Sequence, residues 1–310
     1  MNMLQNFTQL ANSASNFAPL LKAACPSSAP SGAIGDSAPK GYQNVSYQDN
    51  AEFLAAYGML TSNETMMENA VKAFTYGFIQ QRTDGSFNNP QAPAGDLADN
   101  LDADAFFLSA FVRAFLLLET GPSSIARSMI GMLPTLERGL LYLQSQQTAL
   151  LATDAKNGNR LFFDAIALVL GGQLIGDTSL VATGEPFAIA GATLQNVAGW
   201  ISENGGWDSS YQGVSMLNLS WLISSIPTAA PLLPVLGKAA LWEATLISPT
   251  GIVLTIGNTR TAGQETDPNG EPKTVDLLRV ALGMMTSGVV LDIPAYVALG
   301  NAVAGQAIKG

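Results

Sequence analysis

Four times between residues 74 and 285 a helix-periodic segment runs into a glycine-containing turn, and a second, more apolar helical segment follows. The instances are 74–87 leading to 102–119, 136–147 leading through 156–160 to 161–174, 197–208 leading to 210–223, and 241–253 leading to 275–285. Apolar residues recur at helical spacing, and β-branched alternation is rare, so the segments read as helices rather than strands. Gly158, Gly206 and Gly251 are 48 and 45 residues apart, and Gly85 precedes Gly158 by 73. Such a period fits one helical hairpin with its connections. We therefore expect an all-α fold of about ten helices, arranged as an α/α toroid, complete or incomplete. A linear stack of hairpins would show the same pattern.

Within each pair the second helix is apolar nearly all round, as befits an inner helix shielded by an outer one. Ser46-Tyr47-Gln48 and Ser210-Tyr211-Gln212 each open an apolar helix and are expected to mark entry to the inner layer. Residues just after the glycine turns then gather on one rim, where a site between helices is expected.

A charged fraction of only 12%, beside 47% hydrophobic residues, is enough to bury a large core. Residues 1–45 read as an N-terminal arm or wrapping segment, since 22–45 are rich in Ser, Pro, Ala and Gly, and residues 46–310 read as the helical domain. Net charge −10 argues against a nucleic-acid partner, which needs a clustered basic face. The chain has no histidine, so imidazole acid–base chemistry and histidine metal sites are closed to it. Its single Cys25 cannot form an internal disulfide. Neither a metal nor a cofactor is expected. Val280–Ala304 is apolar over roughly the length of a membrane span, but Asp292 and Pro294 interrupt it, so two buried helices are expected. Met1–Leu21 lacks the basic start and unbroken apolar run of a secretory leader, so an extracellular or periplasmic protein of this sequence is expected in mature form.

Two stretches carry a resemblance. Gln80–Phe87, QQRTDGSF, resembles the turn of α/α toroid enzymes, and 203–222, ENGGWDSSYQGVSMLNLSWL, is similar to a segment of heparinase and alginate-lyase-like toroids. Both also resemble, more weakly, repeats of squalene–hopene cyclases. The first resemblance implies a polysaccharide lyase acting by β-elimination on a uronic-acid polymer. Tyr211 falls at the proton-transferring tyrosine, while Gln212 stands where that family has histidine. A phenol titrates at about 10, so a base of this kind needs a cation beside it, which Arg260 or Arg160 would supply. Asn204 and Asn100 are candidates to neutralise the substrate carboxylate, and Trp207 to stack on a sugar ring.

Other readings stand beside this one. Asp102 or Asp104, paired with Asp208, has the composition of a glycoside hydrolase's two acids, though acids near a helix start also suit the macrodipole. Tyr211, Trp207 and Arg260 also suit packing and loop anchoring, and Asn204-Gly205-Gly206 is turn chemistry in its own right. A non-catalytic carbohydrate-binding or structural toroid, or a terpene-cyclase-like enzyme around the DADA segment at 102–105, completes the alternatives.

Overall fold

The computed structural model describes residues 2–35, 37–90, 97–261, 263–266 and 270–309. The chain is all-α, and among the described residues extended backbone occurs only as isolated bridges. In order, the helices are α1 (Met3–Ser13), α2 (Phe17–Ala24), α3 (Ser37–Lys40), α4 (Ala51–Thr61), α5 (Glu64–Phe78) and α6 (Leu97–Leu118). There follow α7 (Ser123–Gly131), α8 (Leu133–Ser145), α9 (Gln147–Thr153), α10 (Gly158–Ala165), α11 (Gly171–Ile175) and α12 (Thr178–Thr193). The last are α13 (Ser209–Ser225), α14 (Leu233–Leu246), α15 (Leu277–Val290) and α16 (Pro294–Ala307). More segments form than expected, partly because a π turn at Ile166–Leu170 separates α10 from α11.

The chain divides into two compact units: Met1–Ala23, Asp154–Phe162 and Ile189–Gly310 form the first, and Ala24–Thr153 with Phe163–Ala188 the second. In the first unit α13 is buried from Gln212 through Leu222, flanked by α14, α15 and α1. Gly213 and Gly283 let α13 and α15 cross backbone to backbone, since a Cβ on Gly283 would lie 2.4 Å from the Gly213 carbonyl oxygen. In the second unit α6 is the buried helix, carrying Phe107, Leu108, Phe111 and Val112 against α4, α5 and α8.

The outer helices bury one stripe each, at i, i+3, i+4 and i+7. On α8 it is Leu136, Gly139, Leu140 and Leu143, and on α14 it is Leu236, Ala239, Ala240 and Glu243. That spacing is the core face of an amphipathic helix. The expected division into wholly buried and one-sided helices is therefore seen within each unit.

A seven-residue hairpin turn recurs between helices, bridging Ser28 to Ile34, Gln81 to Phe87, Gln195 to Ile201 and Ile247 to Val253. Each has a glycine at φ between 84° and 112°, namely Gly32, Gly85, Gly199 and Gly251. The register differs from the sequence expectation. Gly206 is replaced by Gly199 as the turn glycine, and Gly158 is simply the first residue of α10.

The opening segment contains α1 and α2, with Phe7 edge-on to Phe17 at 5.4 Å and to Trp221 at 6.0 Å, so residues 3–21 contribute to the core of the first unit. Toward the C-terminus, Asp292 at φ 55° and Pro294 separate α15 from α16, giving the expected two helices. Only α15 is thoroughly buried; α16 buries Gly300, Val303 and Ala304. No described helix is long and apolar enough to cross a membrane.

Candidate functional site

The start of α13 is built from two loops of the first unit. In one, Glu203 and Gly206 exchange backbone hydrogen bonds of 2.9 and 3.1 Å, with Asn204 at φ 53° between them. A side chain at Gly206 would collide with Thr259, whose N–H and hydroxyl both donate to the Trp207 carbonyl at 3.0 and 2.9 Å. Trp207 meets Trp242 edge-on at 5.0 Å. In the other loop Asn258 accepts from the Arg260 and Thr261 backbone N–H groups.

Asp208 ties the two loops together. Its Oδ1 caps α13 by accepting the Tyr211 N–H at 3.1 Å, and its Oδ2 accepts the Thr261 N–H and hydroxyl at 2.7 and 2.6 Å. Both oxygens of this buried carboxylate are thus occupied by structural donors.

Tyr211 and Arg260 are brought together: the guanidinium lies 4.3 Å from the centre of the tyrosine ring. Arg260 is itself held by Glu265, with Nε donating to Oε1 at 2.7 Å, and Lys273 donates to the other Glu265 oxygen at 2.8 Å. Burial works against the arginine's charge, but Glu265, Tyr211 and Glu203 outweigh it and hold the guanidinium more firmly charged than usual.

Behind Arg260 lies Glu203, a residue that sequence reasoning did not single out. It is 1% exposed; its Oε1 accepts the Asn159 N–H at 2.8 Å, and its Oε2 accepts no hydrogen bond but faces Arg260 Nη1 at 3.6 Å. Burial pushes its carboxyl up to about 8, against the opposing Asn159 N–H, Arg260 and Arg160, with Asp208 adding to the rise. Burial thus favours its protonated form, while the Arg260 guanidinium favours the charged one. Arg160 pairs with Asp154 at 3.6 Å. A second overlooked acid, Glu243 of α14, is fully buried, and neither of its oxygens accepts a hydrogen bond. Burial raises it to about 8; the nearby Ser209 hydroxyl, outside bonding geometry, pulls it back in part, and Asp208 adds to the rise. The only sequence signal for Glu243 was that it interrupts an apolar stripe.

The remaining candidates have other placements. Gln212 follows Tyr211 but points into the core, its Oε1 accepting the Ile201 N–H at 3.0 Å and its Nε2 donating to the Ala239 carbonyl at 3.2 Å. Asn100, Asp102 and Asp104 all belong to α6 of the second unit. Asp104 is buried, accepting the Phe87 N–H at 3.3 Å and the Asn89 amide at 3.0 Å. Burial lifts its carboxyl to about 7 despite these two bonds and Arg82. Among the described residues no group of three or more acidic or cysteine side chains is arranged to hold a metal ion.

No family model and no curated protein sequence matches the chain. Among solved structures, a sugar epimerase from a ruminal bacterium is similar, with a TM-score of 0.43 and 12% identity over 80% of this chain and 72% of that one. A polysaccharide lyase is similar at a TM-score of 0.38 and 12% identity, over 82% of this chain and 62% of the lyase. Likeness this distant bears neither on substrate nor on reaction. What defines the class of this protein is its own architecture, an all-α assembly of helical hairpins.

Proposed function

We propose that the chain is a carbohydrate-processing enzyme, and that it cleaves a uronic-acid polymer by β-elimination at the start of α13. The observation that supports this reading is the stacking of Arg260 on Tyr211, with the buried Glu203 behind the guanidinium. In the step, the Tyr211 oxygen, entering as the phenolate, takes the proton next to the uronate carboxylate. The electron pair left behind forms the ring double bond as the glycosidic C–O bond breaks, and the departing oxygen collects that proton from Tyr211, which restores the phenolate. Arg260 places a fixed positive charge beside the ring where negative charge develops, and Glu265 keeps it from reorienting. Asn204 and Trp207, on the adjoining loop, would contact the sugar, with Arg160 favouring its carboxylate. Polymer substrates of this kind accord with an extracellular or periplasmic setting.

Hydrolysis through Asp208 gains less support, because both its oxygens already hold the two loops together. A non-catalytic helical scaffold is the second reading, favoured by the extent to which Arg260, Glu265 and Lys273 satisfy one another.

The test follows unsaturated-uronide absorbance over time on alginate-, glycosaminoglycan- and pectin-like polymers. Wild type should produce the signal on one of them, and Tyr211→Phe should lower the rate by about 100-fold or more, the usual worth of a positioned acid–base group. Absence of signal from wild type on all three would end the elimination reading and leave the scaffold reading.

A further inference from the structure

The far end of α13 carries a different kind of site. There, α1, α13 and the α15–α16 turn border two adjoining open cavities of about 520 and 340 Å³ that share Gln9, Val289 and Asp292. Volumes of this order are those of small-molecule pockets. Ser224 lies 13 residues beyond Tyr211 on one continuous helix, roughly 20 Å along its axis, so these cavities are separate from the Tyr211 cluster.

The lining mixes two chemistries. Asn6, Gln9, Ser13 and Ser224 offer amide and hydroxyl groups, while Ile223 and Val289 offer apolar surface. Asn6 is 2% exposed, and its amide donates to Ser224 Oγ at 2.9 Å and lies 3.4 Å from the Met3 sulfur, yet its carbonyl oxygen accepts nothing. That oxygen lies behind the cavity wall, so the polar groups that a bound molecule meets directly are Gln9, Ser13, Ser224 and Asp292. Among the described residues, the only charged side chain lining either cavity is Asp292, and no lysine or arginine lines them. An anion therefore finds no counter-charge here, in contrast to the Tyr211 cluster with its two arginines.

From this chemistry we infer that the cavities bind an uncharged, polyhydroxylated molecule of mono- or disaccharide size. Its hydroxyls meet Gln9, Ser224 and Asp292, and its C–H face meets Val289 and Ile223. This site does not depend on the elimination reading.

Calorimetric titration of the whole protein with glucose, cellobiose, maltose and glucuronate tests it. At least one neutral sugar should bind saturably in the millimolar range, and glucuronate should not bind at this site. Gln9→Ala and Asp292→Asn should each weaken the neutral sugar about 5-fold or more, a loss of about 1 kcal/mol. Both are conservative for folding: Gln9 is exposed, and Asn tolerates the left-handed backbone of position 292. Tyr211→Phe should bind the neutral sugar as wild type does. The inference is overturned if no neutral sugar saturates, if both cavity variants bind as tightly as wild type, or if Tyr211→Phe abolishes binding.

Discussion

The two units share one turn, and only the second unit latches a copy of it with an acid. In the second unit the turn closing at Phe87 docks on α8: Gln81 donates to the Gly85 and Thr135 carbonyls, and Gly85 lies against the Arg138 carbonyl. In the first unit the turn closing at Ile201 docks on α14 in the same way, through Gln195 to Gly199 and Val235, with Gly199 against Lys238. The latch on the inner side shows where an acid enters. Gln212 of the first unit receives the Ile201 N–H with a neutral amide, and Gln48 of the second does likewise for Ile34, whereas the second unit's other turn is latched by Asp104, which receives the Phe87 N–H with a carboxyl. The outer stripes part too, since Glu243 of α14 ends the stripe that Leu143 ends on α8. Backbone geometry is thus common to both units, and the acids are substitutions within it that make stability depend on pH.

The shared turn should break most severely when its glycine is filled. A Cβ at Gly85 would sit 2.2 Å from the Arg138 oxygen, and at Gly199 2.4 Å from the Lys238 oxygen, both with φ in the left-handed region. Left-handed strain of about 1–2 kcal/mol adds to overpacking of about 1–3 kcal/mol. Gly85→Ala and Gly199→Ala should therefore each cost several kcal/mol in urea denaturation. A loss below about 1 kcal/mol in either would show that the docking is loose there.

The acids should separate the units next. Folding raises Asp104 to about 7 and Glu203 and Glu243 to about 8, so the folded chain keeps protons that the unfolded chain releases at lower pH. Stability present in acid is then lost as pH rises from the ordinary carboxylate range through about 7 for Asp104, and through about 8 for the two glutamates. Glu243→Leu, which gives α14 the residue of α8, should stabilise the protein by on the order of 1–4 kcal/mol at pH 9, and less at pH 5. Asp104→Asn should stabilise by about 1–3 kcal/mol at pH 8 and flatten the slope between pH 5 and 7. The converse change, Gln212→Glu, should add a further loss of stability with rising pH in the first unit, beyond that of Glu203 and Glu243. If melting temperature is flat from pH 5 to 9 in wild type, the acids are hydrated rather than buried, and the comparison loses its energetic half.

Much of this architecture was legible in the chain. Apolar periodicity marked the buried helices, and the matching Ser-Tyr-Gln triplets marked Gln48 and Gln212, which do the same work. The register of the glycine turns was not, because glycine serves three purposes here: positive φ at Gly199, close helix crossing at Gly213, and room for Thr259 at Gly206. Composition cannot tell these apart. Tyr211 and Arg260 were suggested by motif likeness, and they do meet. Glu203 escaped notice because its chemistry comes from burial beneath a loop more than fifty residues away. Asp102 and Asp208 looked alike as sequence acids, but they lie in different units, and Asp208 is already engaged by Tyr211 and Thr261.

The mildest expected effect tests whether the turns are energetically equivalent once the latch residues are set aside. Gln81 and Gln195 each span two carbonyls, at 3.1 and 3.0 Å in one unit and 3.0 and 2.7 Å in the other. Truncating either to Ala removes two neutral hydrogen bonds at half-buried positions, which should cost about 1–2 kcal/mol, independent of pH. Equal losses in Gln81→Ala and Gln195→Ala, measured by urea denaturation at pH 5 and again at pH 8, would place the difference between the units in Asp104 and Glu243. A loss at Gln81 that grows with pH would instead couple that turn to Asp104, through the segment that carries Gly85 and Phe87. Single-site losses would then not add when Gln81→Ala is combined with Asp104→Asn.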